Sequence, residues 1–298
     1  MKWWPLLILF ILISSVSFAQ DNPLMYMHGL SENGNQIYEI SGYTISVVKN
    51  KAKFQEKDIK KLKKKYYLTN ITAEYSDETL GCENKIIEST YIIDKDLPDV
   101  LANQLCYILP YDEKELIVIL FQTTENRNRK LEQEFLKAYF DKELSKYVTN
   151  IDRWTADSLN FVGRTIELGG ACRWMSPNNV QCSGLGQMSW STFETLEDAK
   201  LNNQTLLSKK DLEKSGFMVI SEKDINILFE EIPTIAKRMV YKIKMPKFLM
   251  GGRNILVVYY VVQKVRGTYV SCILSYYAKK EDDYELAPLL KEVMSIDS

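Results

Sequence analysis

Short stretches rich in β-branched, aromatic and other apolar residues, some of them alternating with polar ones, recur along the first half of the chain, and this pattern predicts β-strands. Strands are expected at 37–48, 68–75, 85–93, 104–109 and 115–123. Ile59, Leu62 and Tyr66 share one side of a helical wheel, which predicts a helix over 55–66. A second helix is expected over 129–148. The first half therefore combines consecutive strands with two amphipathic helices.

The second half of the chain, from about Ile151, repeats this order of elements. Short strands are expected at 165–168, 171–175, 180–182 and 187–193, and a helical turn is expected at 196–201. Further strands are expected at 217–220, 225–229, 236–244, 255–263 and 268–278. The last apolar residues recur at helical spacing and predict an amphipathic helix over about 284–295, capped by Asp282 or Asp283. The residues on its buried side are Leu286, Leu289, Leu290 and Val293.

These elements predict an α+β fold with antiparallel sheets, because the strands follow one another without the crossover helices that parallel sheets need. We expect two similar lobes, each an antiparallel sheet that ends in a strand pair followed by an amphipathic helix. The N-terminal lobe spans 37–150 and the C-terminal lobe spans 151–298. Residue identity between the halves is too low to establish a duplication. The run 255–262 is apolar on both alternations, which predicts a central strand covered on both faces.

Residues 1–19 have the organisation of a secretory signal peptide. A short positive region precedes an apolar run, and Ser17 and Ala19 provide the small side chains of a cleavage site. The alternative is a membrane anchor, but the apolar run, 3–18, is shorter than the roughly 20 residues that span a bilayer. Cleavage would leave an exported, soluble protein without an integral membrane segment, in the periplasm or outside the cell. Residues 20–36 are polar, so we expect a flexible leader there.

The composition is that of a globular protein. The 298 residues are 46% hydrophobic and 26% charged, with a formal net charge of −1 at pH 7. These values exclude collagen-like, disordered and multi-span membrane classes, and the balanced charge disfavours nucleic acid as a partner. The chain contains one His, which excludes a His–His metal pair and an HExxH zinc motif. The sequence predicts no metal site and no cofactor.

Two neighbouring segments carry opposite charge. Nine lysines lie between positions 49 and 65, and eight acidic residues lie between positions 74 and 99. The lysines are typical either of a patch for an anionic glycan, phospholipid head group or polyanion, or of a solvated helix face. Because the acidic segment nearly cancels the basic one, the solvated face is the preferred interpretation.

All five cysteines follow the predicted signal peptide, and an oxidising compartment would permit disulfides between them. Cys172 and Cys182 flank a Ser-Pro-Asn-Asn turn signal, so two strands that return through this turn would bring the sulfur atoms together. Cys82 and Cys106 are the remaining plausible pair. Cys272 lies in an apolar strand and is expected to be a buried, unreactive thiol.

Tryptophan and arginine residues gather around the 172–182 hairpin, and these residue types are strongly enriched in binding hot spots. The candidate binding residues are Trp154, Arg173, Trp174 and Trp190. Alternation along the hairpin puts Arg173 and Trp174 on opposite faces, so one of them must point outward. The alternative is structural: Trp154 and Trp190 would belong to the core, and Trp174 would pack on the disulfide. His28 lies in the predicted leader and is not expected to be a general base, which needs fixed geometry.

These observations favour an exported binding or assembly protein whose partner is a protein, peptide or glycan held near the 172–182 hairpin. The alternative is a carboxylate-based hydrolase with glycosidase-like chemistry, since a pair of carboxylates leaves no short motif. A third possibility is an accessory subunit that covers one sheet face with a permanent partner. Because the chain contains no nucleophile motif and no cofactor fingerprint, an enzyme is the less favoured class.

Overall fold

The computed structural model describes residues 23–32, 34–92, 101–148, 155–207, 216–244 and 252–296. The predicted signal peptide and Trp154 lie outside these ranges. The described chain forms two large sheets and a separate two-stranded hairpin, and every strand pair in them is antiparallel. None of the described helices is long and apolar enough to cross a bilayer.

The N-terminal lobe is a seven-stranded sheet with one helix on each face. Its strands are β1 His28–Glu32, β2 Asn35–Ile40, β3 Tyr43–Lys51, β4 Asn70–Tyr75, β5 Lys85–Ile92, β6 Leu101–Pro110 and β7 Glu115–Thr123. Helix α1, Glu56–Lys65, connects β3 to β4, and helix α2, Arg129–Phe140, follows β7. The spatial order is β1-β2-β3-β7-β6-β5-β4, so the last strand returns to pair with β3 inside the sheet.

The C-terminal lobe begins with a short hairpin and contains an eight-stranded sheet. The hairpin consists of β8 Ser158–Phe161 and β9 Arg164–Glu167. The sheet strands are β10 Cys172–Ser176, β11 Asn179–Cys182, β12 Gly186–Phe193, β13 Phe217–Phe229, β14 Ile232–Ile243, β15 Ile255–Val265, β16 Thr268–Ala278 and β17 Met294–Ile296. Helix α3, Leu196–Leu206, follows β12, and the short helix α4, Pro288–Lys291, lies between β16 and β17.

The two lobes have the same topology. Within the described residues, each consists of three consecutive strands, a helix, four consecutive strands and a second helix. The order of the C-terminal sheet is β10-β11-β12-β16-β15-β14-β13-β17, so its first seven positions repeat the N-terminal order strand for strand. The predicted fold class, an α+β protein with two similar antiparallel lobes, is confirmed. Among the described elements, the second lobe adds β8, β9 and β17.

Apolar side chains cover both faces of each sheet. In the N-terminal lobe, Ile59 and Leu62 of α1 pack over one face, and Phe135 of α2 packs over the other, with its ring centroid 5.5 Å from that of Phe121. In the C-terminal lobe, α3 contacts β15 and β16 on one face, while the β8–β9 hairpin and the C-terminal segment share a core with the other face. Strand β15 is interior and buried on both alternations, as its apolar run predicts.

Two turns interrupt elements that the sequence predicted as continuous. Ser41 and Gly42 both adopt left-handed backbone, with φ of 44° and 74°, and divide the predicted strand 37–48 into β2 and β3. Helix α2 ends at Phe140 and not at 148, because Lys142 adopts left-handed backbone with φ of 58° and turns the chain away. Ser41 and Gly42 are partly buried and Lys142 is exposed, and at none of these positions does hydrophobic periodicity give a boundary signal.

The amphipathic helix predicted over 284–295 is wrong. Only the four residues of α4 are helical, and Ala287 stands at the cap position in place of Asp282 or Asp283. Ala287 has extended backbone because it precedes Pro288, whose ring disfavours helical geometry at the residue before it. The predicted leucines are nevertheless buried, by one helical turn followed by β17, which pairs with β13.

Residues 23–32 and 34–36, predicted as part of a flexible leader, belong to the N-terminal lobe instead. The first four form a single 3-10 turn, and β1 pairs with β2 at the edge of the sheet. Leu24, Met27 and Leu30 are buried. The leader prediction fails here because a polar composition also suits an edge strand, one side of which faces water.

The predicted disulfides have different outcomes. Cys172 and Cys182 are bonded, as the turn signal indicated. Cys82 and Cys106 are both free thiols, so that predicted pair is wrong. Cys106 lies opposite Ile87 inside the sheet, whereas Cys82 lies in an exposed turn before β5, and a strand rise of about 3.3 Å per residue keeps the two apart. Cys272 is buried, as predicted, and burial raises the pKa of its thiol.

Candidate functional site

The two lobes meet along β1 and β2 of the N-terminal lobe and β10 and β12 of the C-terminal lobe. The Ser41 amide donates a hydrogen bond to Thr192 Oγ1 at 3.3 Å. His28 of β1 packs edge-on against Trp190 of β12, with ring centroids 5.0 Å apart. The strand that the sequence assigned to a leader therefore forms one side of the lobe interface.

The disulfide hairpin is fixed next to this interface. Strands β10 and β11 return through a two-residue turn, Pro177–Asn178, which places Cys172 directly opposite Cys182. The Asn178 side-chain amide donates to the Trp190 carbonyl and, at 3.0 Å, to Ser191 Oγ. The disulfide thus closes the open end of the hairpin, and Asn178 ties its turn to β12.

The hairpin presents two different faces. Arg173 and Met175 point outward and are exposed. Trp174 lies on the other face, half-buried, with its ring centroid 6.3 Å from Trp190 and 6.5 Å from His28. Trp190 is only 2% exposed, so it is a core residue and not the surface contact that the sequence suggested. Its buried indole packs against the rings of both Trp174 and His28.

A cleft of about 230 Å³ lies between the lobes beside Trp174. Four parts of the chain build it: strand β1, the segment after α2, the β8–β9 hairpin and the disulfide hairpin. The side chains that define its chemistry are His28, Tyr147, Ser158, Asn160, Thr165 and Trp174. None of its described lining residues is a Lys, Arg, Asp or Glu. The cleft therefore combines aromatic walls with uncharged hydroxyl and amide groups.

His28 and Glu39 lie directly opposite each other across β1 and β2. Both also line a void of about 10 Å³ against Trp190 and Asn178, roughly the space of one water molecule. Burial lowers the pKa of His28 to about 4 and raises the pKa of Glu39 to about 7. Thr44 Oγ1 donates to the Glu39 carboxyl at 2.6 Å, which opposes part of that rise. At neutral pH His28 is a neutral imidazole, able to donate one hydrogen bond and accept another.

Protein stability is expected to depend on pH through His28 and Glu39 with opposite signs. The His28 pKa falls from 6.5 to about 4 on folding, so its contribution to stability increases as the pH rises over that interval. The Glu39 pKa rises from 4.5 to about 7, so its contribution decreases as the pH rises over that interval. The urea unfolding midpoint can be measured as a function of pH. In His28→Gln the rise of stability with pH that His28 causes should be absent, and in Glu39→Gln the fall of stability with pH that Glu39 causes should be absent. Identical profiles for the wild type and both variants would contradict the burial of these groups.

A separate group of carboxylates lies at the lobe interface. Burial, with the nearby charges of Asp198 and Glu194, raises the pKa of Glu125 to about 8. Asn128 Nδ2 donates to Glu194 Oε1 at 2.8 Å. An acid with a raised pKa near a second carboxyl group is the combination that glycoside hydrolysis uses. None of these three carboxylates is among the described residues that line the cleft or the small void, so the hydrolase alternative lacks a substrate site there.

A larger groove of about 720 Å³ lies on the C-terminal lobe. Gln187, Phe217, Arg253, Tyr277 and Leu286 contribute to it. It carries acidic as well as basic side chains and contains none of the predicted binding residues that the structure describes. The inter-lobe cleft is therefore the stronger candidate site.

The structure brings together two of the four predicted binding residues, Trp174 and Trp190. Arg173 faces away from the cleft, and Trp154 lies outside the described residues. The sequence analysis missed His28, Asn160 and Thr165, which complete the cleft from other elements. A signal for His28 was its alternation with the buried Leu30 along β1, which the polar composition of the segment obscured.

No protein-family model matches the chain, and no curated protein matches it. Among solved structures, the chain is similar to the di-domain ARO/CYC StfQ from the steffimycin biosynthetic pathway, at 9% identity and a TM-score of 0.17, over 91% of this chain and 80% of that chain. It is also similar to DynU16, a protein of the dynemicin biosynthetic locus, at 8% identity and a TM-score of 0.19, over 79% of this chain and 86% of that chain. TM-scores this low carry no argument about function.

Proposed function

We propose that this protein is an exported binding protein that holds a neutral sugar unit of a glycan in the inter-lobe cleft. The observation that carries the proposal is the cleft wall itself, in which Trp174 and the neutral His28 face Ser158, Asn160 and Thr165, with no ionised side chain among the described lining residues. A charged peptide end or a phosphate would find no partner of opposite charge on this wall.

The chemistry of the wall suits a sugar for two reasons. The apolar face of a pyranose ring packs on an aromatic side chain, and Trp174 offers a large, half-buried ring. Sugar hydroxyl groups both donate and accept hydrogen bonds, and the Asn160 amide, the Ser158 and Thr165 hydroxyls and the His28 imidazole do the same. At about 230 Å³ the cleft lies below the range of about 300–1,000 Å³ typical of drug-sized ligands, so it suits one ring.

Export is the second part of the proposal. The Cys172–Cys182 disulfide is typical of proteins from oxidising compartments, which in a bacterium means the periplasm or the exterior. The predicted signal peptide supports the same location. Pairing of these two cysteines also fixes the hairpin that carries Trp174. The binding site would therefore be fully formed only in an oxidising compartment, where the bond persists.

Calorimetric titration with glucose, galactose, mannose, N-acetylglucosamine and their disaccharides tests the proposal. At least one saccharide should bind, and Trp174→Ala should weaken that binding by about 30-fold or more, because truncating a hot-spot Trp costs about 2 kcal/mol or more. Arg173→Ala is the matched control, since Arg173 lies on the opposite face of the same strand, and it should bind like the wild type.

Three results would contradict the proposal: no saccharide binds, Trp174→Ala binds as tightly as the wild type, or Arg173→Ala loses binding equally. The same titrations distinguish the hydrolase alternative, because a disaccharide cleaved during the measurement releases monosaccharides that chromatography detects. Cleavage that is abolished by Glu125→Gln would favour the hydrolase over the binding protein.

A further inference from the structure

The exposed side of α1 carries a continuous stripe of lysines. Lys57, Lys60, Lys61 and Lys64 are spaced i, i+3, i+4 and i+7, so they share one side of the helix, and all four are exposed. The opposite side of α1 is anchored to the sheet by the buried residues Ile59 and Leu62. The stripe is therefore held on the outer surface of the N-terminal lobe.

The stripe is not neutralised by the described acidic residues that follow it in sequence. Lys61 pairs at 2.9 Å with Asp58 of its own helix, and Lys57, Lys60 and Lys64 have no ion pair within the described chain. Of the acidic residues, Glu74 is held by Lys63 and Lys85, and Glu88 by Arg127. Asp94, Asp96 and Asp99 lie outside the described residues. The charge cancellation seen along the sequence therefore does not describe this surface.

The second lobe provides an internal control for the stripe. Helix α3 occupies the same topological position as α1, between the third and fourth strands of its lobe. Its charged residues are Glu197, Asp198 and Lys200, a net charge of −1, whereas α1 has six lysines, one Glu and one Asp, a net charge of +4. The fold therefore does not require a basic helix at this position, and the lysines of α1 need another explanation.

We propose that α1 docks this protein on a bilayer that contains anionic phospholipids. The stripe supplies positive charge that complements the negative surface potential of such a bilayer. Tyr67, two residues after the last lysine of the helix, is 75% exposed, and an amphipathic tyrosine ring at the end of a basic helix suits the head-group region. A ten-residue helix lying along the sheet presents these groups over a length of about 15 Å, as a flat bilayer requires.

Sedimentation of the mature chain with lipid vesicles tests this proposal. The protein should bind vesicles of phosphatidylcholine mixed with phosphatidylglycerol, should not bind phosphatidylcholine alone, and should be released by high salt. A variant with Lys57, Lys60, Lys61 and Lys64 all changed to Gln should bind more than about tenfold more weakly, since each lysine near an anionic surface adds to the attraction.

The matched control removes the same charge elsewhere, by changing the exposed residues Lys200, Lys223, Lys242 and Lys279 to Gln, and it should bind like the wild type. Circular dichroism melting of both variants verifies that the folds are intact. Three results would overturn the proposal: no binding of the wild type to anionic vesicles, equal weakening by both variants, or binding of inorganic polyphosphate without binding of the vesicles. The last result would assign the stripe to a soluble polyanion. Because the assay contains no sugar, its outcome is independent of the proposed function.

Discussion

Trp190→Ala is expected to lower the free energy of unfolding by about 3–5 kcal/mol, the usual range for truncation of a buried tryptophan. Trp190 is 2% exposed, and its ring contacts His28 of the N-terminal lobe, Trp174 of the disulfide hairpin and Phe161 of the β8–β9 hairpin. These three partners belong to separate elements, so no one of them fills the space that the indole leaves. Urea unfolding followed by circular dichroism measures the loss.

Trp174→Ala is the matched comparison for that experiment, because it truncates the same type of side chain at the position next to Trp190 in the aromatic cluster. Trp174 is half-buried, and truncation removes less buried surface there, so the loss should be clearly smaller. Equal losses for the two variants would mean that Trp174 is a core residue as well, and the cleft would lose its aromatic wall. A loss below about 1 kcal/mol for Trp190→Ala would contradict its central position.

Replacing both Cys172 and Cys182 with serine is expected to lower the free energy of unfolding by about 3 kcal/mol. The bond closes a loop with a sequence separation of 10, and chain entropy in the unfolded state gives about this value for a loop of that size. The loss should appear as a lower urea midpoint than that of the wild type.

A reducing agent provides the control for the disulfide variant. Cys82, Cys106 and Cys272 are free thiols, so the reagent acts on one bond only. Reduction should lower the midpoint of the wild type to that of the double variant and leave the double variant unchanged. A wild-type midpoint that does not respond to complete reduction would show that the bond does not stabilise the fold.

Much of the secondary structure could be predicted because its signals are local. The spacing of Ile59 and Leu62 located α1, and the turn residues between Cys172 and Cys182 located the disulfide hairpin. The chain order of strands also showed that the sheets are antiparallel. The boundary errors lie where one residue overrides the pattern, as Pro288 does in the predicted C-terminal helix.

The arrangement of strands and the candidate site could not be predicted, because both depend on residues far apart in the sequence. The pairing of β3 with β7 joins Lys49 to Ile117, and no local pattern encodes that register. The same pairing of the third and seventh strands in the second lobe reveals the common topology that residue identity conceals. His28 reaches Trp190 across 162 positions, from an edge strand whose polar composition is typical of a loop.

Nuclear magnetic resonance of the imidazole of His28 tests the central claim, that the inter-lobe cleft binds a neutral sugar, most directly. The chain contains one His, so the imidazole gives one set of signals, and that residue lines the cleft. Addition of the saccharide that binds most tightly in the titrations should shift these signals, with the midpoint found by calorimetry, in the wild type and in Arg173→Ala. Signals that stay unchanged while the saccharide binds would place the ligand elsewhere and contradict the account.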